Sequence, residues 1–577
     1  MIAVRHAPAA LAALVLLVSL AAPAPVSAQV SPCAAASYRP AQQPPFGGEE
    51  VPALDPVGRS DRAPAGFDLS PDEAIGIALD TDVVRAELEE SPDAVPRVYA
   101  QGPCRWQISF IDGDSEVARV AIDDRTGDVL EAWRDQQVGS ELARGYEGAV
   151  AQLVNAPYVW LPLCALFLAP FFDPRRPWRL LHLDLLVVVA LSVSLYFFNR
   201  AEITASVALT YPVLAYVFAR MLWAGLRPRG RARPLVPVVA VRWLAVGAIV
   251  LAIARIGLNV GDSQVIDVGV AGVAGADRIT HGDELYDGAF SPGIDLRGDV
   301  YGPANYLAYV PFEVAFPWQG EWDEVPAAHA AAILFDLLAA VGLVALGRRL
   351  RRGAEGRALG VALGFAWMAC PWTLYAMNAN ANDALVAASV VWALVALSSP
   401  VGRGVAVAVG AAAKFGTAAL APLFATAGGL RDRRAIALFS LAFGLTVLVV
   451  FAPFVPDGGP QEIYDRTLGY QSSRSSPFSV WGLAPGIDFL QTLARLGAVA
   501  LALAVALMPS RRSAVQIAAL AAAVIVAVQA GATHWFYFYV VWFLPLYLVA
   551  VFAEQDAGAE EAKLSRSSSA ARPAAES

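Results

Sequence analysis

Long apolar runs alternate with short polar connections over most of the chain. Several of the runs approach the roughly 20 residues that an α-helix needs to cross the hydrocarbon core of a bilayer. The pattern predicts an all-α polytopic membrane protein of about 11 transmembrane helices, joined to a small α+β N-terminal domain. The predicted helices cover residues 156–172, 181–198, 207–226, 236–258, 327–347, 358–376, 383–399, 435–455, 488–508, 513–531 and 535–553.

Arginines cluster in alternate connections between these helices. The clusters fall within residues 175–179, 227–233, 348–357, 431–434 and 511–512. The positive-inside rule places such connections in the cytoplasm. We therefore expect a multi-pass protein of the cell membrane, with the N-terminal domain and the loop 259–326 outside the cytoplasm. A disordered tail, residues 554–577, is expected inside.

Residues 404–430 do not fit this alternation. They lie between Arg403 and Arg431, which should both be cytoplasmic, yet they are too few for two crossings. We expect a re-entrant hairpin of two short helices that turns near Lys414. A charge at membrane depth is costly and suggests a role such as meeting a phosphate, but a lysine that extends to the cytoplasmic interface is an equally good interpretation.

The first 70 residues have no globular pattern. Residues 1–28 carry Arg5, the apolar run 9–22 and the small-residue sequence Val26-Ser27-Ala28, which is typical of a secretory signal peptide. An uncleaved first helix is the alternative, and it leaves the predicted topology unchanged. Residues 29–70 are rich in Pro, Ala and Gly and predict a disordered tether.

Residues 71–150 predict the small α+β domain. Ser70 and Glu73 have the spacing of a capping box that opens a helix to about residue 90. Alternating apolar positions then predict strands within 105–110, 118–122 and 128–134. The helix followed by a hairpin that ends in DDRTGDVLEAW resembles PepSY-like domains, which implies an extracytoplasmic module that binds or packs rather than catalyses.

The four cysteines divide into two pairs by context. Cys33 and Cys104 lie in the part predicted to be extracytoplasmic, and a disulfide between them is one interpretation. Cys164 and Cys370 lie in apolar runs and are expected to be small buried side chains. None of the four has metal-ligand spacing, so we predict no metal site and no cofactor, and leave dependence on a divalent ion undecided.

The charged residues exclude some classes of function. The net charge is −9, and no basic surface for nucleic acid is evident. Neither a Walker A motif nor a G-x-G-x-x-G motif follows a predicted strand, which argues against a nucleotide-sugar or ATP user. The acidic loop 259–326 instead suggests an aqueous, carboxylate-rich surface at one end of a helical bundle.

A series of motifs runs in a recognisable order from residue 236 to residue 553. Its members are Asp267, Gly282 with Leu285-Tyr286, Tyr301-Gly302-Pro303, MNANANDAL (377–385), AAAKFGTAALAPL (411–423), DRTLGYQSSRSSPFSVWG (465–482) and HWFYFYVVWFLP (534–545). This order resembles the GT-C glycosyltransferases, and most of all the bacterial polyprenol-phosphate-mannose-dependent mannosyltransferases. Residues 151–235, which are additional helices, and the N-terminal domain lie outside the resemblance.

The resemblance implies transfer of a sugar, mannose or similar, from a polyprenyl-phosphate-linked donor to a hydroxyl of a cell-envelope glycan or glycolipid. A carboxylate has to take the acceptor's proton, and Asp267 matches the family's loop aspartate. Asp262 is its rival, and both could be solvated loop acids. The candidate phosphate ligands are Lys414, Arg474, Arg466, Arg278 and His534. The candidate substrate-binding residues are Tyr286, Tyr301, Asn382, Asp383, Tyr470, Gln471 and Trp481.

Several of these residues also have simpler interpretations. Asn382 is a good helix N-cap, and Asn378 and Asn380 fit a solvated turn. The aromatic residues fit a membrane-interface belt, and each arginine fits an interfacial anchor. Two other functions stay open: a transporter or flippase for lipid-linked saccharides, and a non-catalytic envelope sensor or scaffold.

Overall fold

The computed structural model is mostly helical, with one small sheet near the N-terminus. It describes residues 54–553 apart from residues 103, 114, 140, 146–150, 228–238, 289, 291–297, 321–324, 475, 485 and 511. The predicted signal peptide, the predicted cytoplasmic tail and Cys33 lie outside this part of the chain. The chain divides into two compact units, of which the first contains the sheet and residues 196–206 and the second contains most of the helices.

The sheet is an antiparallel meander in which each strand pairs with the next. Its strands are β1 (Leu54–Val57), β2 (Val95–Gln101), β3 (Arg105–Asp112), β4 (Ser115–Asp123) and β5 (Val129–Arg134). The helices Pro71–Leu79 and Asp82–Glu90 form the connection between β1 and β2. Trp106, Ile108 and Val120 are fully buried and form the core with the inner face of the helices.

The N-terminal unit differs from the prediction at three points. Residues 54–57 belong to the predicted disordered tether but form β1, an edge strand that tolerates Pro56 because only one of its sides is paired. β2 was not predicted. The single predicted helix is two helices, since Thr81 caps a second one by accepting a hydrogen bond from the backbone N–H of Val84.

Six helices among the described residues are long and apolar enough to cross a membrane, and the bent pair Gly353–Ala369 and Pro371–Asn378 makes up to seven. The six are Leu180–Phe198, Ile203–Leu226, Val241–Gly261, Pro326–Leu350, Arg433–Phe454 and Asp488–Leu507. Shorter apolar helices cover Pro157–Phe171, Asp383–Val395, Pro400–Ala413, Phe415–Ala425, Ala514–Ala530 and Tyr537–Ala553. A helix occupies most of each predicted apolar run, but the count of about 11 spans is not confirmed.

The apolar helices differ strongly in how much of their surface is covered. Val540–Ala553 is buried along its whole length, and Ala514–Ala530 is buried over most of it. Arg433–Phe451 instead exposes apolar side chains such as Leu441 and Leu448. Exposed apolar helices around a buried centre suit a membrane protein, because lipid tails can cover the outer helices. The sidedness and the positions of the termini stay predictions.

The chain breaks at Lys414, as predicted. The helix Pro400–Ala413 ends there because Lys414 is extended, with φ −134° and ψ 113°. The turn of 3₁₀ helix Phe415–Leu420 and the short helix Ala421–Ala425 follow. The re-entrant course of residues 404–430 through a membrane stays a prediction. The break leaves backbone groups that only protein or water can satisfy at membrane depth.

Candidate functional site

Asp267 is the first residue of the helix Asp267–His281, and glycines fix where that helix lies. Gly272 and Gly275 are three residues apart and therefore share one face. A Cβ atom on Gly272 would lie 2.6 Å from the ring of Tyr309, and one on Gly275 would lie 2.2 Å from the ring of Tyr306. Any larger residue would push the helix away from these rings.

Buried asparagines hold the segment that precedes Asp267. The side-chain amide of Asn378 donates to the backbone carbonyl of Asp262 at 3.0 Å, and that of Asn380 donates to the backbone carbonyl of Gln264 at 2.8 Å. The amide of Asn259 in turn donates to the side-chain oxygen of Asn380 at 2.9 Å. The turn is therefore a buried cradle, and the predicted solvated turn is wrong because both Asn378 and Asn380 are 0% exposed.

The two candidate base residues lie in different surroundings. Asp262 follows the end of the helix Val241–Gly261, and its backbone carbonyl accepts the hydrogen bond from Asn378. Asp262 and Asp267 are both exposed, but only the charge of Asp267 contributes to the electrostatic environment described for Tyr301. Burial raises the pKa of the Tyr301 phenol well above its ordinary value, and the negative charge of Asp267 raises that pKa further.

Lys414 forms a buried ion pair with Asp383. The ammonium Nζ donates to the carboxylate Oδ1 at 2.7 Å, and the two side chains are 8% and 2% exposed. Trp542 Nε1 donates to the same oxygen at 2.6 Å. The rings of Tyr301, Tyr539 and Trp542 lie 5.5, 5.7 and 5.4 Å from Nζ. One carboxylate and three aromatic faces thus stabilise this cation.

The motif Tyr301-Gly302-Pro303 lies directly against the break at Lys414. The backbone N–H of Gly302 donates to the carbonyl of Ala413 at 3.3 Å. A Cβ atom at position 302 would lie 1.9 Å from the carbonyl oxygen of Ala412, so only glycine fits. This close approach of two backbones is what brings the Tyr301 ring to Lys414.

His534 and Arg474 complete the site. His534 Nδ1 lies 2.9 Å from Ser476 Oγ, which also accepts the backbone N–H of Phe478. The Ser476 hydroxyl has one proton and two lone pairs, so it pairs with either neutral tautomer of His534. Burial lowers the pKa of His534 well below 6.5, and the charges of Arg474 and Lys414 lower it further.

The Arg474 side chain is half-buried, and its charge acts on both Tyr301 and His534. Within the described ranges, it makes no ion pair or side-chain hydrogen bond. Unlike Lys414 and Arg466, Arg474 therefore has no carboxylate in ion-pair contact among the described residues.

We call this constellation the polar cluster, and its members are Asp267, Tyr301, Asp383, Lys414, Arg474, His534, Tyr539 and Trp542. The first six were predicted as site residues. Tyr539 and Trp542 were not, although their spacing of three residues places them on one face of a helix. A buried lysine needs partners that stabilise its charge, so Lys414 itself was the signal in the sequence for aromatic rings nearby.

A second feature, the Arg466 cleft, has a volume of about 480 Å³ and is lined by Asp299, Val300, Asp465, Arg466, Gly469, Tyr470 and Ser473. The guanidinium of Arg466 is bound to Asp299 at 2.9 Å and to Glu462 at 3.0 Å. Two carboxylates thus compensate its single charge. A predicted phosphate ligand is here part of an ion-pair network.

Arg278 and Tyr286 brace the acidic loop. The Arg278 guanidinium donates to the carboxylate of Asp287 and to the backbone carbonyl of Glu284. The buried Tyr286 hydroxyl donates to the backbone carbonyl of Tyr301 at 2.7 Å. These contacts are within the loop 259–326, and Tyr286 touches the polar cluster only through the backbone of Tyr301.

The remaining predicted residues are spread around the site. Trp481 Nε1 donates to a main-chain carbonyl at 2.7 Å. Gln471 is half-buried in the short helix Tyr470–Ser473. Asn382 is buried at a helix N-cap position, but its side chain donates to Asn305 at 2.9 Å instead of capping the helix.

Cysteines and possible metal ligands add little to the site. Cys104 is disulfide-bonded, whereas Cys164 and Cys370 are free and buried. In the part of the chain that the structure describes, no group of three or more His, Cys, Asp or Glu side chains is arranged to hold a metal ion.

Comparisons of the chain with family models, with curated proteins and with solved structures found no match. Fold and site together define a largely helical protein with long apolar helices suited to a membrane and a charged, aromatic-rich cluster beside them. The chemistry of that cluster is therefore the basis for a function.

Proposed function

We propose that the protein is an integral-membrane glycosyltransferase of the GT-C type. It moves a sugar, mannose or similar, from a polyprenyl-phosphate-linked donor to a hydroxyl of an envelope glycan or glycolipid on the extracytoplasmic face. The observation that carries the proposal is the polar cluster, in which one exposed carboxylate, cations and a neutral histidine lie together beside apolar helices. This is the set of groups that glycosyl transfer from a lipid phosphate needs.

Asp267 is the proposed general base. Its carboxylate takes the proton of the acceptor hydroxyl while the oxygen attacks the sugar carbon and the bond to the phosphate breaks. Asp383 is a poorer candidate, because its carboxylate already holds Lys414 and Trp542. Asp262 follows the end of another helix and takes no part in the contacts that define the polar cluster.

The leaving polyprenyl phosphate needs positive charge and hydrogen-bond donors. Arg474 is the preferred ligand, because its guanidinium is not compensated by a carboxylate among the residues described. The imidazole of the neutral His534 adds a further hydrogen-bonding group, and Lys414 adds positive charge although it is paired with Asp383. Arg466 and Arg278 no longer belong to this set, since each is bound to carboxylates nearby.

A buried ion pair beside apolar helices would also suit a path for a charged or polar substrate, as in a transporter of lipid-linked saccharides. The two functions differ in one product: only the transferase makes a new glycosidic bond. The exposed position of Asp267 favours the transferase, since a base has to meet an acceptor that arrives from water.

Turnover by the purified full chain in nanodiscs tests the proposal, with a synthetic polyprenyl-phosphate mannose and a panel of envelope glycans. We expect product from the wild type and a loss of about 10²–10⁴-fold in kcat for Asp267→Asn, because a general base supplies that much. Asp262→Asn is the matched control and should keep wild-type turnover. Thermal unfolding of each variant checks that the fold is retained.

Each other outcome has a definite meaning. Full activity in Asp267→Asn together with its loss in Asp262→Asn would move the base to Asp262. Transfer of lipid-linked saccharide across liposomes without any new bond would refute the transferase and support a transporter. Absence of both activities with every donor and acceptor in the panel would favour a sensor or scaffold.

A further inference from the structure

The Arg466 cleft and the polar cluster are built from the same two chain segments. Asp299 and Val300 line the cleft, and the next residue, Tyr301, belongs to the cluster. Tyr470 and Ser473 line the cleft, and the residue after Ser473 is Arg474 of the cluster. A molecule in the cleft would therefore lie next to the proposed reaction centre.

The charges of the described lining residues disfavour an anion as the ligand of the cleft. Among the described residues Asp299, Asp465 and Arg466 line it, and Glu462 is bound to Arg466, so this part of the wall carries three carboxylates and one guanidinium. A phosphate group would meet a net negative surface. Asp299 and Glu462 are already paired with Arg466, and Asp465 accepts a hydrogen bond from Gln461, so each of these carboxylates has a partner before any cation binds. A neutral ligand that donates further hydrogen bonds to them therefore fits best.

The lining residues indicate which chemical groups the neutral ligand has. Carboxylate oxygens of Asp299 and Asp465 accept hydrogen bonds from hydroxyl groups, and the Ser473 hydroxyl both donates and accepts. Tyr470 adds an aromatic ring. The volume of about 480 Å³ lies in the range of small-molecule pockets, which is ~300–1,000 Å³. A polyhydroxylated ring, with polar edges and an apolar face, matches these groups.

The backbone of the cleft is unusual in a way that fits a binding site. Residues Asp465–Gly469 form a π-helical turn, a rare conformation that occurs often at functional sites. Gly288, with φ +78°, leaves the room that the Arg466 guanidinium occupies, since a Cβ there would lie 2.6 Å from Nη1. Both features fix the wall of the cleft before any ligand binds.

We propose that the Arg466 cleft binds a sugar unit of the acceptor as a neutral polyol, with its ring against Tyr470 and its hydroxyls on Asp299, Asp465 and Ser473. That the bound sugar belongs to the acceptor rests on the proposed function, but binding of a sugar in the cleft does not require turnover. The two ideas can therefore fail separately.

Saturation-transfer NMR on the full chain tests this in a phosphocholine detergent, which has no sugar headgroup to compete. The probes are methyl α-mannopyranoside, methyl α-arabinofuranoside and inorganic phosphate. We expect at least one glycoside to bind, and Tyr470→Ala to weaken its Kd roughly two- to tenfold through loss of the aromatic contact. Ser473→Ala should weaken it by a smaller factor and serves as the second variant.

Tyr464→Ala is the matched control, since Tyr464 is 51% exposed and does not line the cleft. It should bind the glycoside as the wild type does. Three results would overturn the proposal: no glycoside binding at concentrations up to solubility, an unchanged Kd in both cleft variants, or displacement of the glycoside by phosphate. Binding with no transferase activity would support the cleft and count against the proposed function alone.

Discussion

Replacing Lys414 by methionine removes one half of the buried ion pair in the polar cluster. Methionine has a similar length and no charge, so it fills the space and leaves the Asp383 carboxylate without its cation. Both side chains are almost fully buried, at 8% and 2% exposed. The perturbation therefore isolates the cost of an uncompensated buried charge.

The expected magnitude follows from that burial. Breaking a buried pair by removing one partner typically destabilises a protein by about 3–5 kcal/mol. The hydrogen bond from Trp542 Nε1 to Asp383 remains and offsets a small part of this. We expect Lys414→Met to lower the free energy of unfolding by about 3 kcal/mol or more.

Adding Asp383→Asn should recover most of the loss. The asparagine is neutral, and its side-chain oxygen can still accept the hydrogen bond from Trp542. In a double-mutant cycle the two substitutions should therefore be strongly non-additive, with an interaction energy of about 2–3 kcal/mol. Independent sites would give an interaction energy near zero.

Reversible unfolding in mixed micelles, titrated with sodium dodecyl sulfate, measures these differences. The control is Arg200→Met, which breaks the ion pair of Arg200 with Glu202, where the side chains are 57% and 42% exposed. That pair should contribute no more than about 1 kcal/mol. A loss below about 1 kcal/mol for Lys414→Met, or a double variant no more stable than Lys414→Met, would refute a tightly coupled buried pair.

Two further predictions concern the surroundings of this pair. Gly302→Ala should destabilise the fold by about 1–3 kcal/mol in the same assay, because its Cβ would meet the Ala412 carbonyl at 1.9 Å. Gly257→Ala, at an exposed helical position with nothing within 4 Å, should not destabilise it. His534 stays neutral in the folded protein but protonates near pH 6.5 in the unfolded chain. The free energy of unfolding should therefore be highest above pH 6.5 and fall by up to about 1.4 kcal/mol for each pH unit below it. His534→Gln should flatten that pH dependence and the exposed His281→Gln should not; an equally steep profile in His534→Gln would contradict the assignment.

The helices were predictable because they rest on local periodicity. Each apolar run contains a helix close to the predicted bounds, and the capping box of Ser70 and Glu73 forms as its spacing indicates. The number of crossings was not predictable in the same way. A helix such as Ala514–Ala530 is buried among its neighbours, so its apolar length reflects packing as much as bilayer thickness.

Some of the breaks had a signal that was available in the sequence. The predicted helix 358–376 bends by 56° between Ala369 and Pro371, where a proline removes a hydrogen bond and restricts the residue before it. β1 had no such signal, because a four-residue edge strand that contains a proline gains its stability from its partner β2.

The sequence predicted the charged residues of the site better than the ion pairs that they form. The Lys414 charge suggested a special position, but its partner Asp383 lies on another helix and only tertiary structure pairs them. The ion pairs of Arg466 had a more local signal. Glu462 lies four residues earlier on the same helical stretch, and that spacing alone indicates an ion pair.

Residues without chemistry of their own place the proposed base. Asp267 is exposed and is joined to the buried part of the protein by the segment that Asn378 and Asn380 hold through backbone carbonyls. Asparagine suits this task because one side chain can donate and accept at once, and neither group changes charge with pH. An aspartate in the same place would put a negative charge on carbonyl oxygens. The rigidity of the site therefore comes from neutral buried amides and glycines rather than from its charged groups.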